Sequence, residues 1–347
     1  MTTRRGAIGR FRTLAAVLVA ILIGLASGPA RGEAPKEPPP AEQPAATPPA
    51  AGGEMKAYKG PFTLPASCRK ADGTYDQEAV VEAQRNHLAV INAKLGTQMV
   101  MIETPHFLIF SDADVPKTKN FIQWCEPLYA ALCSQFGFKP GDRVWNGKCL
   151  LLLFKTQETF KTFASIFDKA ALPNDAAGYY SPERYPPLLL MHIAMFVGIF
   201  KDSLSLQQLF VHEGTHAFFH AYCGDTNWPL WLTEGLAMYM QALINPASRS
   251  KQPVVAIKVA QSERSIQYLI NAGENYYLSN EDYAVANSLV DCLIKADRAK
   301  FKKFVDLLKE NKGQEEALNA TYGFGLEELE KRWRQALTVT SPGGRRR

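Results

Sequence analysis

The chain has 347 residues, 46% of them hydrophobic and 21% charged. This balance excludes wholesale disorder, a collagen-like fibre and a coiled-coil rod, and the length suits one large domain or two ordinary ones. The formal net charge is +5, but Arg4, Arg5, Arg10, Arg12 and Arg31 all stand in a leader without acidic residues, and the remaining 34 Lys and Arg balance the 34 Asp and Glu. Nucleic-acid binding needs a clustered positive excess, so no nucleic-acid partner is expected.

Four arginines precede an uncharged stretch, Thr13 to Ala30, whose apolar heart runs from Leu14 to Ala26. A basic start and a short apolar run read as an export signal over residues 1–32. The run is shorter than the ~20 apolar residues of a membrane span. Cleavage is expected near Ala30 or Gly32, with retention as an N-terminal anchor as the alternative and the chain's one expected membrane contact. The protein is therefore expected to be exported: periplasmic, cell-surface or secreted. Residues 33–56 form a linker, and positions 34–50 alone hold seven prolines and five alanines. Such a segment favours extended conformations and buries no core. A short basic tail, Ser341 to Arg347, is expected to be disordered. All six cysteines follow the linker. They allow 15 pairings. Cys125 and Cys133 share a predicted helix, where eight residues rise ~12 Å, too far for a mutual disulfide.

The folded part reads as α+β: a small mixed sheet with helices over residues 57–200, then a helical subdomain over 201–340. One helix is expected over Gln77 to Leu95. Short strands are expected at Val100–Glu103 and His106–Phe110. Asp114-Val115-Pro116 opens a helix to near Gly137, with Leu128, Leu132 and Phe136 on its buried stripe. Cys149–Phe154 reads as a buried strand, Gln157–Phe167 as helical, and Gly178–Tyr180 and Leu188–Ile193 as strands around a proline-rich loop. From Ser203 the pattern turns helical. Ser205 and Gln208 fit a capping box for a helix over Leu206 to Tyr222, ended near Gly224. A second helix starts near Pro229 and runs to Ile244. After an irregular stretch, Tyr283–Ala296, Ala299–Asn311 and Leu326–Leu337 read as amphipathic helices.

The chemistry lies on the two middle helices. His212-Glu213-Gly214-Thr215-His216 places two imidazoles four residues apart, ~40° apart around a helix, so both can bind one Zn²⁺. Glu213 is next to them, placed to accept a proton rather than to ligate. Trp231-Leu232-Thr233-Glu234-Gly235 then offers a carboxylate 18 positions after His216. A turn between Gly224 and Trp228 would fold the two helices antiparallel and bring Glu234 to the metal. Two histidines and one glutamate leave a coordination position open, as in catalytic zinc sites.

His212-Glu213-x-x-His216 with Trp231-Leu232-x-Glu234-Gly235-x-Ala237 resembles the gluzincin-type zinc metallopeptidases. More narrowly, the chain is similar to peptidase-MA-like families of exported proteins. Thr104-Pro105-His106-Phe107 and Tyr283-Ala284-x-Ala286-x-Ser288-Leu289-Val290 share that likeness, which covers roughly Thr104 to Leu337. The gap from His216 to Glu234 is slightly shorter than in the best-known gluzincins. The resemblance implies a zincin-like fold with the active-site helix at the junction of the two parts, one Zn²⁺ per chain, and a peptide or protein substrate. It implies hydrolysis by a metal-activated water, with Glu213 as general base.

The oxyanion donor is first sought at Tyr283, which would open a helix after the zinc segment, with Tyr179, Tyr180 and Tyr276 as alternatives. The strand before the zinc helix is a candidate edge for pairing with an extended peptide. His220 reads as packing, His192 as a satisfied core histidine, and Asp225 as a turn residue or an orienter of a ligand imidazole. Trp228 and Trp231 read as core or cleft, and Asn287 and Asp291 carry no assigned role. The other readings of this pattern are a non-catalytic envelope or surface binding scaffold and a metallohydrolase of a non-peptide bond.

Overall fold

A computed structural model describes residues 66–339, apart from 140, 182–190, 225–227, 247–251 and 274–275. The expected leader, linker and tail lie outside the described residues, as do Asp225 and most of the proline-rich loop after Ser181.

The sheet begins at a turn. Pro105 cannot donate to a ladder, so β1 (Val100–Glu103) ends before it and β2 (Phe107–Ser111) starts after it. Thr104-Pro105-His106 is therefore the hairpin turn rather than part of a strand. Thr104 N donates to Phe107 O at 2.9 Å, and its hydroxyl accepts from Phe107 N at 3.1 Å. His106 faces Glu126 at 2.7 Å and stacks on Tyr129, 3.7 Å between ring centroids. With β3 (Cys149–Phe154), β4 (Gly178–Ser181) and β5 (His192–Phe196) the sheet runs in the order β1-β2-β3-β5-β4. The β2, β3 and β5 strands are mutually parallel, and β1 and β4 close the two edges antiparallel.

Strand alternation splits the core across two faces. Leu108, Phe110, Leu150, Leu152, Phe154, Tyr179 and Ala194 point to one face. There they meet α1 (Gln77–Leu95) and α3 (Gln157–Phe163), which continues into a π-helical turn, Ala164–Asp168. Phe107, Ile109, Leu151, Leu153, Ile193 and Met195 point to the other, against α2 (Val115–Phe136) and α4 (Ser203–Cys223). That second core runs on without a break into α5 (Leu230–Ile244), α8 (Asn280–Ala296), α9 (Arg298–Lys309), α10 (Gln314–Tyr322) and α11 (Leu326–Val339). The architecture is thus α+β and zincin-like, with α4 lying between the sheet and the later helices.

Several boundaries differ from the sequence expectation. Helix α4 starts at Ser203, and its cap is Asp202, whose carboxylate accepts from Ser205 N at 2.7 Å. An acidic cap also complements the positive helix start, so the Ser205/Gln208 box does not form. Strand β5 begins at His192 rather than Leu188, and Leu188–Leu190 lie outside the described residues. An unbroken apolar run has no period to mark its ends, and pairing of His192 with Leu150 sets the register instead. The stretch after Ile244, expected to be irregular, holds α6 (Gln252–Gln261) and the one-turn α7 (Gln267–Ile270). Helix α10 had no sequence expectation; its cap is Gly313, which offers no side-chain signal. All six cysteines are free thiols. Among the described residues no helix is long and apolar enough to cross a membrane.

His87, on α1, is 2% exposed. Burial, and then His192, push its pKa down to about 4. The unfolded chain, with a histidine pKa of ~6.5, binds that proton more tightly, so this part of the stability is complete above ~pH 6.5 and is lost as the pH falls toward 4, by up to about 3 kcal/mol. His87→Phe should flatten the decline in unfolding midpoint between pH 7 and 4.5. An unchanged acid slope in the variant would refute the assignment.

Candidate metal centre

Helix α4 is apolar on most of its surface: Leu206, Leu209, Phe210, Val211, Ala217, Phe218 and Phe219 are all buried. A helix of this kind sits inside a core rather than on it, so whatever polar groups it carries are carried into the interior. His212 is 0% exposed and His216 5%. Their Nε2 atoms lie 3.1 Å apart, as two residues one turn apart on a single face allow.

Gly224, at φ +77°, ends α4, and its N–H donates to His220 O at 2.7 Å. The chain then returns as α5. Gln241 donates to Gln208 O at 2.7 Å and Asn245 to Gln207 Oε1 at 3.0 Å, so the end of α5 lies beside the start of α4 and the pair is antiparallel. This places Glu234, early in α5, opposite the two histidines. Its Oε2 is 3.2 Å from His212 Nε2 and 3.5 Å from His216 Nε2. Among the described residues, His212, His216 and Glu234 are the one group of three side chains whose ligand atoms converge in this way.

The spacing suits a metal. Ligand atoms ~2.0–2.1 Å from a tetrahedral zinc lie ~3.3 Å from each other. The three pairwise separations of 3.1, 3.2 and 3.5 Å bracket that edge. The cluster is also chemically incomplete by itself: His212 Nδ1 and both oxygens of the fully buried Glu213 find no hydrogen-bond partner. Buried polar atoms are ordinarily satisfied, and leaving them unpaired is costly. Both oxygens of the buried Glu234 lack a hydrogen-bond partner as well, and a divalent cation held by that carboxylate and the two Nε2 atoms would supply what it is missing, so the residues present fit zinc.

The two carboxylates differ in their surroundings. Burial opposes ionisation of Glu234, but His216 and His212 beside it overcome that and hold its carboxyl well below the usual range. Burial pushes Glu213 up to about 8; Glu234 adds to the rise, and His212 works against it. The Tyr180 main-chain N–H faces Glu213 and works weakly against the rise.

Tyr283 comes to the same place from α8. It lies one turn inside that helix rather than at its opening. Ser279 is the cap, in a reciprocal box with Asp282 that the pattern Ser279-Asn280-Glu281-Asp282 could have signalled. The Tyr283 ring centroid is 6.4 Å from that of His212. Burial first, and then Glu234 and Glu213, raise its pKa far above the ordinary phenol value.

Of the alternative tyrosines, Tyr180 on β4 stacks on His216 at 5.5 Å and 23°. Tyr179 points to the opposite face and donates to Asp168 at 2.5 Å, and Tyr276 reaches Asp282 at 3.4 Å. His220 packs near Tyr180, 6.1 Å between centroids, and is not in the converging set. His192 is buried against Asp168 at 3.0 Å, the satisfied core histidine expected. Trp228 packs on Phe219, and Trp231 is fully buried with its indole N–H on Gln314. Asn287 donates to Gln252, and Asp291 pairs with Lys295, so neither reaches the centre.

Sequence reasoning missed the part played by Gly235. A Cβ there would stand 2.4 Å from Ala286 O and 2.7 Å from Ala286 C, both main chain of α8. Only glycine lets α5, next to Glu234, approach the helix that bears Tyr283 so closely. Gly235→Ala should therefore cost about 1–3 kcal/mol by overpacking. Gly273→Ala, with open space around its Cβ position, should leave the denaturant midpoint nearly unchanged. Equal midpoints for the two variants would contradict the close approach.

No curated protein matches the chain. Residues 191–339, from the start of β5 through α11, do match the sequence pattern of a known family. That segment holds both histidines, both glutamates and Tyr283. The family it matches over this span is the Peptidase MA superfamily.

Proposed function

We propose that the chain is an exported zinc-dependent metallopeptidase that hydrolyses peptide bonds in a peptide or protein substrate. The observation that carries this reading is the convergence of His212 Nε2, His216 Nε2 and Glu234 Oε2 at 3.1–3.5 Å, with an unpaired Glu213 carboxylate beside them. Export is supported by the basic and apolar leader alone.

His212, His216 and Glu234 would hold the zinc, which when bound supplies a Lewis acid that polarises a carbonyl and acidifies water. Glu213 is the proton carrier. Burial raises its carboxyl above the usual carboxylate range, which makes its anion the more basic of the two buried carboxylates and the one suited to take a proton from water and give it to the leaving amine. Tyr283 stays protonated because burial and two carboxylates oppose its ionisation. Its hydroxyl is therefore a donor at every working pH, as a group facing a developing oxyanion needs to be. The strand directly before the zinc helix is β5, which is paired on both sides and offers no edge; the sheet edge beside the centre is β4, whose ladder partner is β5 and whose Tyr180 lies against His216. An extended peptide added to the outer side of β4 would run past Glu213 and the ligand histidines.

Purified protein should contain close to one zinc per chain, and His216→Ala should lose it. A folded protein that takes up no zinc would end the metallopeptidase reading. Glu213→Gln should keep the metal and lose turnover by about 10²–10⁴-fold, which separates an enzyme from a binding scaffold on the same fold. Tyr283→Phe should keep the metal and reduce kcat by about 10²-fold, with little change in KM. A loss confined to KM would remove Tyr283 from the chemistry.

A further inference from the structure

A second buried polar cluster lies on the far face of the sheet. Asp168, the last residue of the π-helical turn, collects three side chains. Tyr179 donates to its Oδ2 at 2.5 Å, Ser181 donates to its Oδ1 at 3.0 Å, and His192 Nε2 meets Oδ2 at 3.0 Å. Tyr179, Ser181 and His192 are 0%, 6% and 1% exposed. Strand geometry explains the meeting. Ser181 and His192 are register partners across β4 and β5, so they share a face, and Tyr179 is two residues before Ser181 on that same face.

The alternation has a second consequence. The alternate positions of β4, Gly178 and Tyr180, face the other way, to α4. A Cβ at Gly178 would lie 3.0–3.3 Å from Leu209, and the Tyr180 ring lies on His216. Strand β4 is four residues long, with a ladder partner on one side only among the described residues. Its main-chain hydrogen bonds alone hold such a strand weakly against fraying. The Asp168 carboxylate grips it from behind at both residues flanking Tyr180. Burying a carboxylate for packing alone is unfavourable when apolar side chains would fill the space. The π-turn that delivers it is an uncommon conformation that is frequent at functional sites.

We propose that Asp168 is a positioning residue for the centre on the opposite face. By holding Tyr179 and Ser181 it fixes where Tyr180 and the outer edge of β4 stand relative to Glu213 and His216. The inference rests on the proposed peptidase function, because the strand it fixes is the one assigned to substrate. Its effect falls on the peptide-binding edge and not on the metal, whose ligands come from α4 and α5.

The test compares the full chain with Asp168→Ala, Asp168→Asn and Tyr179→Phe; the last keeps the ring in the core should the first fail to fold. Amide hydrogen exchange, zinc content and steady-state kinetics on a peptide are read together. Asp168→Ala should speed exchange across 178–181 about tenfold or more while leaving α4 protected. It should also keep its zinc and lower kcat/KM at least about tenfold, chiefly through KM. Asp168→Asn should recover part of the loss, since its amide oxygen still accepts, and Tyr179→Phe should show the same pattern more weakly. Unchanged exchange in β4, or faster exchange spread evenly over the sheet and α4, would overturn the proposal; so would a loss confined to kcat. If the unaltered chain binds zinc but cleaves no peptide, the peptidase reading fails by itself, and the exchange pattern still decides whether Asp168 holds β4.

Discussion

Everything in this molecule turns on three lone pairs brought together inside an apolar core. His212 Nε2, His216 Nε2 and Glu234 Oε2 lie within 3.5 Å of one another, and the three side chains are almost wholly excluded from solvent. Without a cation such a cluster is unfavourable, since buried polar atoms aimed at each other have lost their water and gained incomplete partners. The surrounding structure must therefore impose the arrangement. It does so with a helix, α4, apolar enough on its other faces to be driven between the sheet and α5 whatever it carries on the ligand face.

That constraint accounts for details elsewhere. Helix α5 has to come close to α4 and α8 at once, and Gly235 permits the approach to α8 right beside Glu234. Helix α8 has to start at a fixed point for Tyr283 to face His212, and the Ser279–Asp282 box fixes it, with Tyr268 also bonded to Asp282. The sheet edge has to present Tyr180 to α4, and the Asp168 cluster holds the other face of the same strand. Each device is local, and each acts on one of the groups around the centre.

The candidate metal-binding segment was legible in the sequence because its chemistry is periodic. His212 and His216 one turn apart, and Glu234 after a glycine-marked turn, are spacings that a helix converts directly into proximity. The β-strands of the parallel core were legible as apolar runs, but their ends were not. Nothing between Leu188 and Phe196 distinguishes one register from another, and the pairing with β3 decides it. The Asp168 cluster was invisible for a different reason. Its members come from a π-turn and two strands, and only the register of Ser181 against His192 brings them together. The closeness of α5 to α8 was hidden likewise, because a glycine within a helix does not announce which main chain will press on it.

The two buried glutamates show how position alone divides labour between identical side chains. Glu234 faces two imidazoles, and their charge outweighs the penalty of burial, so it remains an anion suited to hold a cation. Glu213 lies on the same helix as those imidazoles, one residue along. It gains less from them, feels Glu234 as a like charge, and is left with burial as the dominant influence. The result is one carboxylate that does not readily accept a proton and one that does, less than a helical turn from the ligands. Pairs of titratable groups pushed apart in this way are common at functional sites, and the separation supports the proposed roles of Glu234 as ligand and Glu213 as proton carrier. Here the separation follows from a single geometric fact: Glu234 approaches the histidines end-on from a second helix, whereas Glu213 shares their backbone and must point elsewhere.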